Sequence, residues 1–302
     1  MRDTRNYTIG LDIRGESVRL GILGTQVEPV WRGSAELRQN DPEGSFASIR
    51  DALEDAGRRY PLGQIGIASE GMINMTEGTL WHPAFGEEPF PLREALSEAM
   101  GMPVWLDGPS FASMMAEWTS GACKGMDNAL YLEIGDTVTG AMVTEGTLCR
   151  GKSGSAGALG HIITHAGGKE CECGMRGCLN AYANINVLGE MCSRDPEAVM
   201  LLASDGDRSM RDMERRYLSE LAEGLSGLVA IFDPQAIVLG GFITRGGRYM
   251  LETLHRVLEE KAPAYMDGEL LITYARHRVD GRVIGAAALA DYDIPEEEDE
   301  EE

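Results

Sequence analysis

At 302 residues and 43% apolar content the chain can bury one large core or two lobes of ordinary size, as a globular protein. A formal net charge of −22 argues against a surface that wraps a nucleic-acid backbone, and seven of those charges form the terminal run from Glu296 to Glu302, expected to be a solvated tail. No stretch of about 18 apolar residues is present to span a membrane, and the first residues lack the apolar core of a signal peptide, so a cytoplasmic protein is expected.

In chain order, residues 7–13 and 18–23 alternate as strands joined by a turn at Arg14, Gly15 and Glu16, and 30–35 gives a third. Asp41-Pro42 opens a helix to about residue 60, with Phe46, Ile49 and Leu53 on its apolar side. A short buried strand at 64–68 runs toward Gly71. It is followed by a helix at 92–100, a strand at 104–106 and a helix at 110–119, whose stripe of Phe111, Met114, Met115 and Trp118 is core. Near Met126 the pattern begins again. Strands at 129–134 and 140–144 flank Gly135-Asp136-Thr137-Val138-Thr139, and a helix from Cys178 to Tyr182 follows a cysteine-rich segment. A long helix covers 211–232 and ends at Asp233-Pro234. A buried strand at 236–239 closes on Gly240-Gly241, and helix 249–261, strand 270–274 and helix 285–292 complete the chain. Hairpins followed by helices and strands, twice over, indicate an α/β protein with two related lobes. The expected division is residues 1–122, residues 123–284 carrying the cysteine-rich segment, a helix at 285–293 returning to the first lobe, and a disordered acidic tail at 294–302.

The strongest chemical signal is His161, then nine residues, then Cys171-Glu172-Cys173-Gly174-Met175-Arg176-Gly177-Cys178. One imidazole and three thiols within eighteen residues make a tetrahedral Cys3His zinc site, and the interleaved glycines let the backbone turn tightly around an ion. Disulfides are the competing use of these thiols. The other cysteines, Cys123, Cys149 and Cys192, are scattered and suit reduced, buried thiols.

The segment from Gly157-Ala158-Leu159-Gly160-His161 through Gly177-Cys178-Leu179-Asn180-Ala181-Tyr182 resembles the signature of the ROK family of repressors, open reading frames and sugar kinases. Further matches are Gly10-Leu11-Asp12-Ile13, Gly66-Ile67 to Gly71, Pro103 to Asp107, and Asp233-Pro234 through Gly240-Gly241. The resemblance implies a two-lobed actin-like (ribonuclease H-like) ATPase fold, with ATP and sugar bound between the lobes of active members and zinc bracing the sugar loop. It also implies a homodimer. Carried over residue by residue, Asp12, Gly15, Gly135, Gly140, Gly240 and Gly241 fall on the nucleotide site, and His161, Asn180 and Gly71 on the sugar site. His161, Cys171, Cys173 and Cys178 fall on the metal site.

Several positions depart from the family pattern. The proton-accepting Asp of the family's Asn-Asp-Ala-Asn is here Pro109, and the preceding Asn is Gly108. Proline opens helices well but offers no base. In the first phosphate loop Arg14 replaces a glycine and Glu16 a hydroxyl residue. In the second, Asp136 appears and Thr137, Thr139 and Ala141 replace glycines. A carboxylate about 4 Å from a phosphate charge costs roughly 4 kcal/mol at an effective dielectric near 20. Two of the family's sugar-contacting glutamates are Ala158 and Asn180 here. All four metal ligands remain, which suits a structural Zn2+ with no open position for water.

Two function classes follow, with a purely structural dimer partner as a third. One is a catalytically impaired member that senses a sugar-like ligand or regulates a protein partner. Repressors of the family carry a helix-turn-helix ahead of the fold, whereas here about six residues precede the first strand, so direct DNA binding is not expected. The other is an ATP-dependent sugar kinase, of the glucokinase or N-acetylmannosamine kinase type, using Mg2+ and a relocated base such as Asp107. The missing base and the acidic phosphate loops favour the first.

Overall fold

The computed structural model describes residues 7–262 and 270–292, and the expected acidic tail at 294–302 lies outside them. The chain separates into two compact units, dividing at Ser120/Gly121 and again at Arg278/Val279, so that its last helix belongs to the first unit.

The first unit is built on a five-stranded sheet ordered β3-β2-β1-β4-β7. Strands β1 (Tyr7–Arg14), β2 (Ser17–Leu23) and β3 (Trp31–Glu36) form an antiparallel meander, and β4 (Leu62–Ser69) and β7 (Val104–Asp107) add in parallel on the other side of β1. A small hairpin, β5 (Met72–Asn74) and β6 (Thr79–Trp81), lies between β4 and helix α2 (Leu92–Met100). Helix α1 (Pro42–Arg59) starts where the sequence places it: the Asp41 carboxylate accepts the Gly44 N–H at 2.9 Å and Pro42 takes the first helical position. Helices α3 (Pro109–Ser120) and α9 (Gly281–Tyr292) pack together, and α9 also lies on β1 and β4. That contact is backbone to backbone. A Cβ on Gly10 would fall 1.9 Å from the Val283 carbonyl oxygen, and one on Gly66 would fall 1.8 Å from that of Ala286.

The second unit repeats the order as β10-β9-β8-β11-β12. Here β8 (Ala129–Ile134), β9 (Val138–Thr144) and β10 (Thr147–Leu148) are the antiparallel meander, and β11 (Ala236–Gly241) and β12 (Leu271–Tyr274) are the parallel additions. Around it lie α4 (Asn180–Ala183), α5 (Ile185–Cys192), α6 (Pro196–Asp205), α7 (Arg208–Phe232) and α8 (Gly247–Lys261). Helix α7 ends where Asp233 turns into the left-handed region at φ 41° ahead of Pro234. Each unit has its own apolar core, centred on Ile9, Leu11, Ile65 and Leu53 in the first and on Leu132, Leu221, Leu225 and Ile237 in the second. Two sheets with one strand order, an antiparallel meander extended by parallel strands, are the actin-like, ribonuclease H-like fold. Among the described residues no helix is long and apolar enough to cross a membrane.

Candidate functional site

In the second unit the chain after β10 runs through Leu159, Gly160 and His161 and then folds into a tight knuckle. The Cys171 N–H bonds the Met175 carbonyl at 2.9 Å, Gly174 N–H bonds Cys171 at 2.9 Å, and Gly177 N–H bonds Lys169 at 2.8 Å. Thr164 N–H to the Gly177 carbonyl and Leu179 N–H to that of Ile162, both 2.9 Å, bring the far end of the knuckle back beside His161. As a result one ligand atom from each of His161, Cys171, Cys173 and Cys178 lies within 4.8 Å of the others.

The spacing inside this cluster matches one ion. Cys173 Sγ and Cys178 Sγ are 3.7 Å apart, and Cys171 Sγ is 3.6 Å from His161 Nδ1. Tetrahedral bonds of about 2.3 Å to sulfur and about 2.05 Å to nitrogen put neighbouring sulfurs about 3.8 Å apart, and sulfur and nitrogen about 3.6 Å apart. A disulfide needs about 2.05 Å between sulfurs, and all three thiols are free. Cys171 and Cys178 are buried and Cys173 is exposed. Burial pushes the Cys178 thiol up to about 12, with the adjoining thiols adding to the shift. A cation here would have to displace that proton, so loading is coupled to proton release.

Asn180 sits against the cluster, 4% exposed. Its Oδ1 accepts the Val138 N–H at 2.7 Å, and its Nδ2 donates to Glu172 Oε1 at 3.2 Å and faces Cys171 Sγ at 3.9 Å. Its side chain thus bonds both the start of β9 and the cysteine knuckle. The neighbouring turn between β8 and β9 is also tied down. Gly135 accepts the Ile185 N–H at 2.9 Å, and Asp136 Oδ1 accepts from Asn186 Nδ2 at 3.3 Å. Gly140 lies under Leu159 in β9, and Gly240 and Gly241 end β11 beside Tyr131 and Glu133.

In the first unit Asp12 lies in the buried part of β1, one residue before buried Ile13, and is 2% exposed. Three guanidinium groups surround it: Arg282 at 3.6 Å, Arg14 at 3.7 Å and Arg19 at 3.9 Å. Arg14 and Arg282 also reach Glu70, at 3.7 and 3.2 Å. Burial raises the Asp12 pKa, and the three arginines oppose that rise. Gly15 turns at the hairpin tip with φ 53°, and Glu16 beside it is exposed. Gly71 closes the turn after β4 with φ 107°.

Pro109 is the first residue of α3. Asp107, 3% exposed, ends β7, and its Oδ1 accepts the Gly108 N–H at 2.7 Å. A cavity of about 150 Å³ beside it is lined by Ile67, Met75, Arg93, Trp105 and Leu106. The sequence reading missed Arg19, Arg282 and Glu70 around Asp12. Arg282 follows Asp12 by 270 positions, and no local pattern links the two.

Comparison with known proteins follows the fold. A model of the ROK family matches residues 8–292. A glucokinase of Thermotoga maritima is 28% identical over 93% of this chain and 96% of its own length. An N-acetylmannosamine kinase of Salmonella agona is 28% identical over 95% of this chain and 99% of its own. The crystal structure of a ROK hexokinase from Thermus thermophilus superposes with a TM-score of 0.82 at 28% identity, covering 95% of this chain and 98% of that one.

Proposed function

Since the chain belongs to the ROK family, we propose that it handles the ligand class of its sugar-kinase relatives, a hexose or N-acetylhexosamine, as a binding or regulatory protein that has lost phosphoryl transfer. The observation that carries this reading is Pro109 at the position of the family's base, opening α3 with no proton acceptor in its side chain. Asn180 supports it, because its side chain is taken up by Val138 and the cysteine knuckle. So does Arg14, which stands where the family has a phosphate-loop glycine and pairs with Asp12 and Glu70. A thermal-shift screen of free hexoses, N-acetylhexosamines and their phosphates tests the proposal. Stabilisation by at least one of them without turnover is expected, and no stabilisation by any would oppose it.

His161, Cys171, Cys173 and Cys178 would hold a zinc ion that braces the loop. Four protein ligands leave no coordination position for a nucleophilic water, so its contribution is folding free energy.

A second reading has its own support. The named activities of the relatives, glucokinase and N-acetylmannosamine kinase, cover nearly the whole chain, and Asp107 is a buried carboxylate two positions before Pro109. In that reading Asp107 accepts the proton of the attacking sugar hydroxyl, after its bond to Gly108 N–H is exchanged for one to the substrate.

A further inference from the structure

We propose that Asn180 is a positioning residue that links the metal knuckle to the turn between β8 and β9, so that ion occupancy sets the order of that turn. The inference rests on the reading of the His161 and cysteine cluster as a metal site.

Two struts connect these parts. The first is the Asn180 side chain. Its Nδ2 faces Cys171 Sγ at 3.9 Å and its Oδ1 receives the Val138 N–H at 2.7 Å. An amide N–H directed at a metal-bound thiolate steadies the negative charge on sulfur. Groups of this kind orient ligands, and their loss lowers metal affinity by about 10–100-fold. The second strut is backbone. Gly160 passes so close to β9 that a Cβ there would fall 2.0 Å from the Val138 carbonyl oxygen. Val138 is therefore held from both sides, by the residue before one ligand and by the side chain that steadies another.

The Asn180 backbone is fixed in turn. Asn184 Nδ2 donates to the Asn180 carbonyl at 2.8 Å, and Asn184 Oδ1 caps α5 through Val187 N–H at 3.2 Å. The turn reaches the same helix start directly, through Ile185 N–H to Gly135 and Asn186 to Asp136. Releasing the ion frees Cys171, and through Asn180 it frees the Val138 end of the turn. At this position the resemblance assigns a sugar-contacting glutamate. A carboxylate has no N–H to offer a thiolate, so the link belongs to asparagine.

Amide hydrogen exchange on the full-length protein tests the link, comparing zinc-loaded with chelator-stripped samples. Stripping is expected to speed exchange of the Val138 amide at least about tenfold. Asn180→Leu removes the side-chain strut and is expected to lose most of the zinc dependence of Val138 exchange, leaving at most what the Gly160 contact carries. Asn180→Asp keeps the acceptor for Val138 but loses the donor to sulfur. It is expected to stay protected when loaded and to bind zinc about 10–100-fold more weakly, and it serves as the test if the leucine variant does not fold. A wild-type Val138 amide indifferent to zinc, metal-dependent protection undiminished in Asn180→Leu, or unchanged zinc affinity in Asn180→Asp would each overturn the link while leaving the metal site standing. Failure to bind zinc at all would remove both.

Discussion

Cys173 is the exposed member of the four-ligand cluster, so its replacement disturbs coordination with little loss of packing. Cys173→Ser is expected to lower bound zinc well below one per chain and to reduce the melting temperature, because the binding free energy of a structural ion is folding free energy. Elemental analysis and calorimetry of protein purified without chelator check both. A second residue to probe is Glu214 on α7. It is fully buried, and among the described residues neither its carboxylate oxygens nor the Tyr274 hydroxyl has a hydrogen-bond partner. Burial pushes its pKa up to about 7, with Arg211 opposing. The folded state therefore holds a proton that the unfolded chain releases near pH 4.3. The stabilising contribution is full below about pH 4.3 and is lost as pH rises through about 7, amounting to at most about 4 kcal/mol. Glu214→Gln should flatten that slope and raise stability at pH 8, read by denaturant unfolding across pH 5–8. An unchanged slope would show that Glu214 is not its source.

Helix α9 packs closely on β1 and β4. Gly66→Ala places a methyl group against the Ala286 carbonyl, which lies in helix backbone and cannot rotate aside. A destabilisation of about 3 kcal/mol is expected from denaturant unfolding. A variant as stable as wild type would show that α9 shifts freely on the sheet. The legibility of the elements follows from the range of the forces that form them. Helix α1 was readable from Asp41-Pro42, and the end of α7 from Asp233-Pro234, because caps act over a few residues. The knuckle was readable because its ligands sit within one short segment. Helices α5 and α6 were not anticipated, although Asn184 and Asp195-Pro196 cap them in the ordinary way. Cys192, Ser193 and Arg194 interrupt the apolar period there, leaving two short helices rather than one long pattern. Helix α9 begins at Gly281, four residues earlier than the expected 285, since Gly281 and Arg282 give no helical signal by themselves. What surrounds the candidate site was least legible. Asp136 in the second loop accepts from Asn186 fifty positions away, a partner no local pattern supplies, and the arginines around Asp12 come from β1, β2 and α9.

For the whole molecule, the question is whether this ROK-family chain binds its ligand without transferring phosphate. General-base catalysis is worth about 10²–10⁴-fold, and preorganised charge stabilisation of the transferring group is a further and often larger effect. Pro109→Asp alone should not create a kinase, because Gly108 and Ala158 still lack the polar groups that hold a sugar hydroxyl in line. ATP with magnesium should bind only weakly, and calorimetry showing micromolar affinity would contradict the assignment of weakened phosphate loops. The most direct measurement is a coupled ADP-release assay of the wild-type protein with ATP and magnesium over a panel of hexoses and N-acetylhexosamines. No turnover above background is the expected result. Turnover of about one per second or faster, abolished by Asp107→Asn, would contradict it and establish Asp107 as the base of an active sugar kinase.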